Sequence, residues 1–212
     1  MLPLFAILFT ACAAGYIRIG PSSPDFSIGE IKTAKSILLV SEKAEVKQFK
    51  KSFARAFGSG SSLSGYLSKA LADSLNAIPG VSVSVGPAGI SDSLAGDSVS
   101  KSATFFEGVE ARYALNVKNI LIYNSTQYTP GIMAPSGPGG SMVVTGGGIS
   151  TSCVVSYDVE IWDVPSMTRM ALFQATGTAQ VFMFFYRTAL ENAVESSLRH
   201  FVAYVREGRT ER

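Results

Sequence analysis

Histidine is almost missing: His200 is the only one, and there are two cysteines, Cys12 and Cys153. That removes most metal sites, which need several nitrogen or sulfur ligands, and most histidine-dependent catalysis. Charge is scarce too, at 16% of residues against about 25% in typical soluble domains. Lys plus Arg is 18 and Asp plus Glu is 16, and a net charge of +2 is too weak a basic bias for a nucleic-acid binder. No apolar run reaches roughly 18 residues, so no ordinary transmembrane helix is expected. What is abundant points the other way. With 47% hydrophobic residues, 20 glycines and a mean hydropathy of +0.26, the chain is not of the disordered class. Its 212 residues suffice for one domain with a sizeable core. Envelope and assembly-forming proteins often have such an apolar, charge-poor composition.

Met1 to Cys12 reads MLPLFAILFTAC, an apolar run over Leu2–Phe9 followed by the small residues Thr10 and Ala11. That is the hydrophobic region and cleavage site of a secretory signal, here without a Lys or Arg before it. Leu8-Phe9-Thr10-Ala11-Cys12 resembles a bacterial lipobox. The resemblance implies a signal peptide over 1–11, cleavage between Ala11 and Cys12, and acylation of the Cys12 thiol, with enough chains for stable anchoring in membrane lipid. Ala13, rather than Asp, after the cysteine implies the outer membrane, periplasmic face. Cys153 then lacks an intramolecular disulfide partner and reads as a small buried hydrophobe.

Residues 12–35, broken by Pro21, Pro24 and Gly29, read as a lipid-anchored tether with an edge strand near Tyr16–Ile19. Ser36–Ser41 is a strand-length apolar run. Val46, Phe49, Phe53 and Phe57 recur at helical spacing, opposite the basic Lys43, Lys47, Lys50, Lys51 and Arg55. Leu63, Leu67, Leu71, Leu75 and Ile78 make a second helical stripe, which Ser61 or Ser62 can cap and Pro79-Gly80 stops. Val81, Val83 and Val85 alternate as a strand. Phe105, Phe106, Val109, Tyr113 and Val117 predict a third helix, and Asn119–Tyr123 a buried strand. Residues 126–150 form a Gly/Pro-rich insertion without charge that carries Tyr128, Ile132, Met133, Met142, Val143 and Val144, and an insertion of that length is usually functional or mobile. Alternation over Val155–Ile161 and Ala171–Val181, around a turn at Pro165–Thr168, predicts a long antiparallel hairpin. Leu190, Ala193, Val194, Ser197, Phe201 and Val205 predict a last helix over about Arg187–Arg206, with 207–212 as a basic tail.

Chemistry is thinly represented. Ser98-Val99-Ser100-Lys101 fits S-x-x-K without its companion motifs. Gly58–Ser62 lacks the G-K-[ST] ending of a phosphate loop. His200 reads as a surface or core residue. Asp158 and Glu160 share a strand face and can hold a cation or move a proton, but such faces are more often simply solvated. No catalytic, metal or cofactor site is assigned.

The order predicts an α/β (α+β) domain over 36–206. It has a mixed sheet of about five strands with a long C-terminal antiparallel hairpin, flanked by about four helices. A lipid-anchored box, then Tyr157–Val164, a turn, a small-residue strand and a closing amphipathic helix is similar to the layout of curli-secretion (CsgG-type) lipoproteins. Activator lipoproteins of penicillin-binding proteins and the N-terminal domain of the TolB translocation protein share it, with Pro165–Thr168 here in place of their Thr-Gly turn. The resemblance implies a non-catalytic binding or assembly role for another envelope component. On that expectation, the apolar residues of 126–150 contact a partner protein or another copy of the chain, and the Lys43–Arg55 cations meet lipid headgroups. The rivals are an oligomeric secretion channel of the curli type, since 141–162 and 170–184 alternate, and a soluble α/β enzyme.

Overall fold

The computed structural model describes residues 13–24, 26–34, 36–41, 45–46, 60–86, 110–135, 142–145, 147–182 and 185–208, with backbone alone at 45–46, 60–61, 132–135 and 142–145. Its elements are β1 (Ala13–Ser22), α1 (Gly29–Thr33), β2 (Ile37–Ser41), β3 (Glu45–Val46), α2 (Gly60–Asn76), β4 (Val83–Val85), β5 (Tyr113–Thr129), β6 (Ile132–Pro135), β7 (Met142–Thr145), β8 (Gly148–Asp163), β9 (Thr168–Gln180) and α3 (Tyr186–Glu207).

Period-two patterning builds the centre. Val155, Tyr157, Val159 and Ile161 of β8, with Phe173 and Ala175 of β9, turn one face into the core. The turn between the two strands is held by Asp163, whose Oδ2 accepts from Ser166 Oγ at 2.6 Å and Ser166 N at 3.2 Å. β5 lies antiparallel along the other edge of β8, and β2 pairs parallel with both β5 and β4. The seven-stranded mixed sheet runs β1-β9-β8-β5-β2-β4, with β3 also on β5, and β6 and β7 form a separate ladder. α2 buries Leu63, Leu67, Leu71 and Leu75, and α3 buries Leu190, Ala193, Val194, Phe201 and Val205, all in one core against the same sheet face.

This is the expected mixed α/β class with its long hairpin, but with more strands and, among the described residues, fewer helices. Residues 12–35 are no tether from Ala13 onward. Tyr16 and Ile17 pair with Thr176 and Ala175, so β1 is the sheet's edge strand, and α1 follows it with Ile31 fully buried. Tyr113 and Val117 belong to β5, not to a helix: a spacing of four fits both periods, and Leu115 between them completes the strand. Val46, expected at the start of a helix, sits in β3, while Phe49, Phe53 and Phe57 of that expected helix lie outside the described residues. Phe105, Phe106, Val109, Lys43, Lys47, Lys50, Lys51, Arg55, Ala11 and Cys12 lie outside the described residues. Within the 126–150 insertion β5 and β8 continue, Tyr128 opposite Ile149 and Thr129 opposite Gly148, before β6 and β7 pair.

α3 reaches the sheet across two glycines. Gly15 of β1 and Gly177 of β9 are register partners. A Cβ on Gly177 would stand 1.9 Å from the Ala193 carbonyl oxygen, and one on Gly15 2.6 Å from that of Ser196. Only glycine permits backbone contact this close. Gly177→Ala should therefore push the helix off the sheet. Overpacking costs about 1–3 kcal/mol and often more against backbone, lowering the melting temperature by roughly 5–10 °C in thermal unfolding. An unchanged melting temperature would show that the helix docks without that contact.

Candidate functional site

The sheet face opposite α2 and α3 carries the polar residues. Asn116, Lys118, Asp158, Glu160, Leu172 and Gln174 lie on it in register. Glu160, expected on a solvated face, is instead 1% exposed and fully engaged. Its Oε1 accepts from Lys118 Nζ at 2.7 Å and from an Arg169 guanidinium N–H at 2.9 Å. Its Oε2 accepts from Asn116 Nδ2 at 3.2 Å and Trp162 Nε1 at 3.3 Å. Burial acts to raise the Glu160 pKa, but the hydrogen bonds from Lys118 and Arg169 outweigh it and hold the carboxyl below the usual range. Asn116 Oδ1 is, among the described residues, the buried side-chain polar atom without a hydrogen-bond partner.

A second chain of polar contacts holds the opposite end of the strands. Arg112 Nε donates to Asp163 Oδ1 at 2.9 Å, and Tyr113 Oη donates to Glu30 Oε2 at 2.6 Å. Burial first, then the Glu30 carboxylate, pushes the Tyr113 phenol up to about 12. These carboxylates are occupied in structural pairs, and Asp158 and Glu160 do not converge on a shared vacancy. Asp158 Oδ2 accepts from Asn119 Nδ2 at 2.8 Å. Beside it, Arg18, Gly20, Asp158, Leu172 and Gln174 line an open groove of about 490 Å³.

No group of three or more metal-ligating side chains occurs among the described residues. Ser98 and Lys101 lie outside them, as do Gly58 and Ser59, while Gly60 opens α2. His200 sits on α3 beside Gly15. Cys153 is free and buried, and burial pushes its thiol up to about 12, so it packs as a small hydrophobe at neutral pH.

The candidate interaction device begins at a bulge. Between Lys118 and Leu121 the register of β5 against β8 shifts, and Asn119 takes φ 52, a conformation asparagine tolerates. Here Arg18, Gln174, Asp158 and Lys118 form one cross-strand row. Past that row, no charged residue occurs on β5 or β8, since Lys118 and Asp158 bound an uncharged stretch of sequence. The same holds for β1 before Arg18 and for β9 after Arg169. β9 ends at Gln180, opposite Ser152, while β5 and β8 run on as a two-stranded arm. Its four further pairs, Thr126–Thr129 with Gly148–Thr151, extend it by about 13 Å. At Gly147, φ 87 and a Cβ position 2.5 Å from Gly131 N demand glycine where the arm passes into the β6–β7 ladder.

Of the expected contact residues, Tyr128 is described and is 70% exposed, with its partner Ile149 at 73%. Ile132, Met133, Met142, Val143 and Val144 lie in the β6–β7 ladder, where Met133 pairs with Val144. Sequence reasoning missed Ile149 and also Phe182 and Phe185, exposed by 56% and 59% just after β9 at the same end. A shallow pocket of about 240 Å³ lies between those phenylalanines and Gln180, Ala189 and Asn192. The first residue of β1, Ala13, pairs with Ala179 and stands at the arm's base in the row of Cys153 and Asn124.

No protein-family profile matches this chain, and no curated protein matches it. Among solved structures it is similar to the PelC dodecamer from Paraburkholderia phytofirmans, at 16% identity over 92% of this chain and 99% of that chain, TM-score 0.43. It is also similar to a neuraminyllactose-binding hemagglutinin homolog from Helicobacter pylori, at 14% identity over 89% and 91%, TM-score 0.46. A hypothetical protein from Chlamydia trachomatis is similar at 12% identity over 81% and 98%, TM-score 0.46. Likeness of this degree carries no argument about what the chain does.

Because its folded pKa is depressed, Glu160 contributes stability that is present above the unfolded value of about 4.3 and is lost as pH falls through the folded value. Glu160→Gln should cost about 1–3 kcal/mol in denaturant unfolding at pH 7, with the gap to wild type narrowing below about pH 4. A gap that stays constant with pH would show that the carboxylate's charge is not what stabilises.

Proposed function

We propose that this chain is a lipoprotein of the bacterial outer membrane, facing the periplasm, that serves as a non-catalytic binding or assembly module for another envelope component. Cys12, acylated after removal of 1–11, is its anchor. The supporting observation is the arm: an uncharged two-stranded projection with Tyr128 and Ile149 exposed, built on a rigid sheet whose buried carboxylates are already engaged in structural pairs. An exposed apolar projection of this kind is an interaction signature. β1 begins at Ala13, so the anchor would join the sheet without the spacer the sequence suggests, holding the domain close to its membrane.

The mass of the mature N-terminus and the membrane partition of wild type and Cys12→Ala test this. Loss of 1–11, added acyl mass and sedimentation with membrane in the wild type alone are expected. An intact, unmodified, soluble Met1 chain would overturn it and bring the soluble-enzyme reading forward.

Assembly with further copies of the same chain is a second reading. Among the described residues β1 pairs along one edge only, and beyond Ser152 the arm has no third strand, so both offer backbone groups to a neighbouring strand. Light scattering in detergent should then return a multiple of the chain mass. Replacing 130–147 by Asn-Gly, which closes Thr129 to Gly148 with a two-residue turn, should lower that multiple without unfolding the domain. A wild-type monomer would exclude it.

A further inference from the structure

We infer that the arm-bearing end of the sheet is a bilayer-docking surface, and that its exposed apolar side chains rest in the membrane interface. The inference deepens the proposed anchoring by naming the contact of the same arm.

Three independent features converge on that end. The first is where charge stops. The row Arg18–Gln174–Asp158–Lys118 crosses four strands, and beyond it β1, β9, β8 and β5 carry no charged residue. On these four strands charge is missing from both sheet faces alike, which burial against α3 cannot explain, since it covers only one; past the row the sheet's charged residue is Glu45 of β3, opposite Leu121. A charge-free end meets the interfacial layer of a membrane without the cost of desolvating charges. The charges nearest that end on the helix side, Arg187 and Glu191, neutralise one another at 2.9 Å.

The second feature is what is exposed. Tyr128, Ile149, Phe182 and Phe185 all lie past the charged row and show more than half their surface. Aromatic side chains at one level are the pattern of a membrane–water interface. The third is the chain outside the described residues. The proposed anchor, Cys12, directly precedes Ala13, which stands at the base of this same end. A protein partner would account for exposed apolar residues alone. The proposed anchor beside Ala13, at the base of the same end, favours the membrane over it.

The backbone limits the depth. Thr126–Thr129 and Gly148–Thr151 pair with each other and, among the described residues, with no further strand, though the Thr151 carbonyl accepts from Val181 N at 2.7 Å. Those open edges need water, so the arm lies in the headgroup layer and does not span the hydrocarbon.

The test places a tryptophan singly at Ile149, at Phe182 or, as control, at Val85, which is exposed on β4 short of the charged row. Each full chain is mixed with phosphatidylcholine vesicles brominated in their acyl chains. Ile149→Trp and Phe182→Trp should lose emission beyond the loss of the unsubstituted chain, whose Trp162 gives the background, and Val85→Trp should not. Serine at Tyr128, Ile149 and Phe182 should weaken vesicle binding by about tenfold per side chain. Repeating the series in Cys12→Ser separates the two ideas. Quenching at 149 and 182 without the acylated cysteine sustains docking even where the anchor fails. An acylated, vesicle-bound chain unquenched at 149 and 182 overturns docking and leaves the anchor standing. Equal quenching at Val85, or none anywhere, also overturns it.

Discussion

The contact between α3 and the two glycines of β1 and β9 holds the rest of the structure in register. Ala193 and Ser196 meet Gly177 and Gly15 through backbone atoms, so the helix sits closer to the sheet than any side chain would allow. With the helix fixed there, Phe201 meets Phe173 edge-on, with centroids 5.9 Å apart, and Ser197 closes on the buried Tyr157 hydroxyl. The edge strand is clamped by the same contact, and through it the level at which the chain enters the domain. Everything at the far end of the strands, from Ala13 to the arm, takes its position from that seam.

The opposite face shows how a charge-poor chain spends its few charges. Lys118, Arg169 and Glu160 neutralise one another around a carboxylate that water barely reaches, with Asn116 and Trp162 completing its hydrogen bonds. A buried ion pair is retained only when such extra bonds satisfy the remaining lone pairs. Lys118 also ends the row Arg18–Gln174–Asp158–Lys118, which crosses four strands. On one side lie ion pairs such as Arg112–Asp163, and on the other β1, β9, β8 and β5 carry only neutral side chains.

Much of this was legible in the sequence, and its failures have physical causes. The β8–β9 hairpin and α3 follow from strict periods of two and 3.6, which few other arrangements satisfy. Tyr113 and Val117 satisfied both periods, and pairing with β2 decided for the strand. Pro130, Gly131 and Gly147 marked an insertion, and they stand where one strand ladder passes into the next. Pro21 and Pro24 suggested a tether, but an edge strand tolerates a proline such as Pro21 where its N–H faces outward, and Pro24 falls in the turn after β1. Glu160 looked solvated because its partners come from β5 and β9, and local sequence cannot show that three strands bring them together. The break in charge at Lys118 and Asp158 was in plain view. It gained meaning only when the register aligned it with Arg18.

The entry of the chain has a mechanical consequence. β1 starts at Ala13 and runs antiparallel to β9 as far as Ser22. A pull at its first residue, directed away from the domain, acts along the strand axis, so the ladder to β9 is loaded in shear. Its hydrogen bonds share the load and must yield together, whereas a pull across the strand would open them one after another. The edge strand, the least protected position in the sheet, is thereby the one best oriented to carry tension.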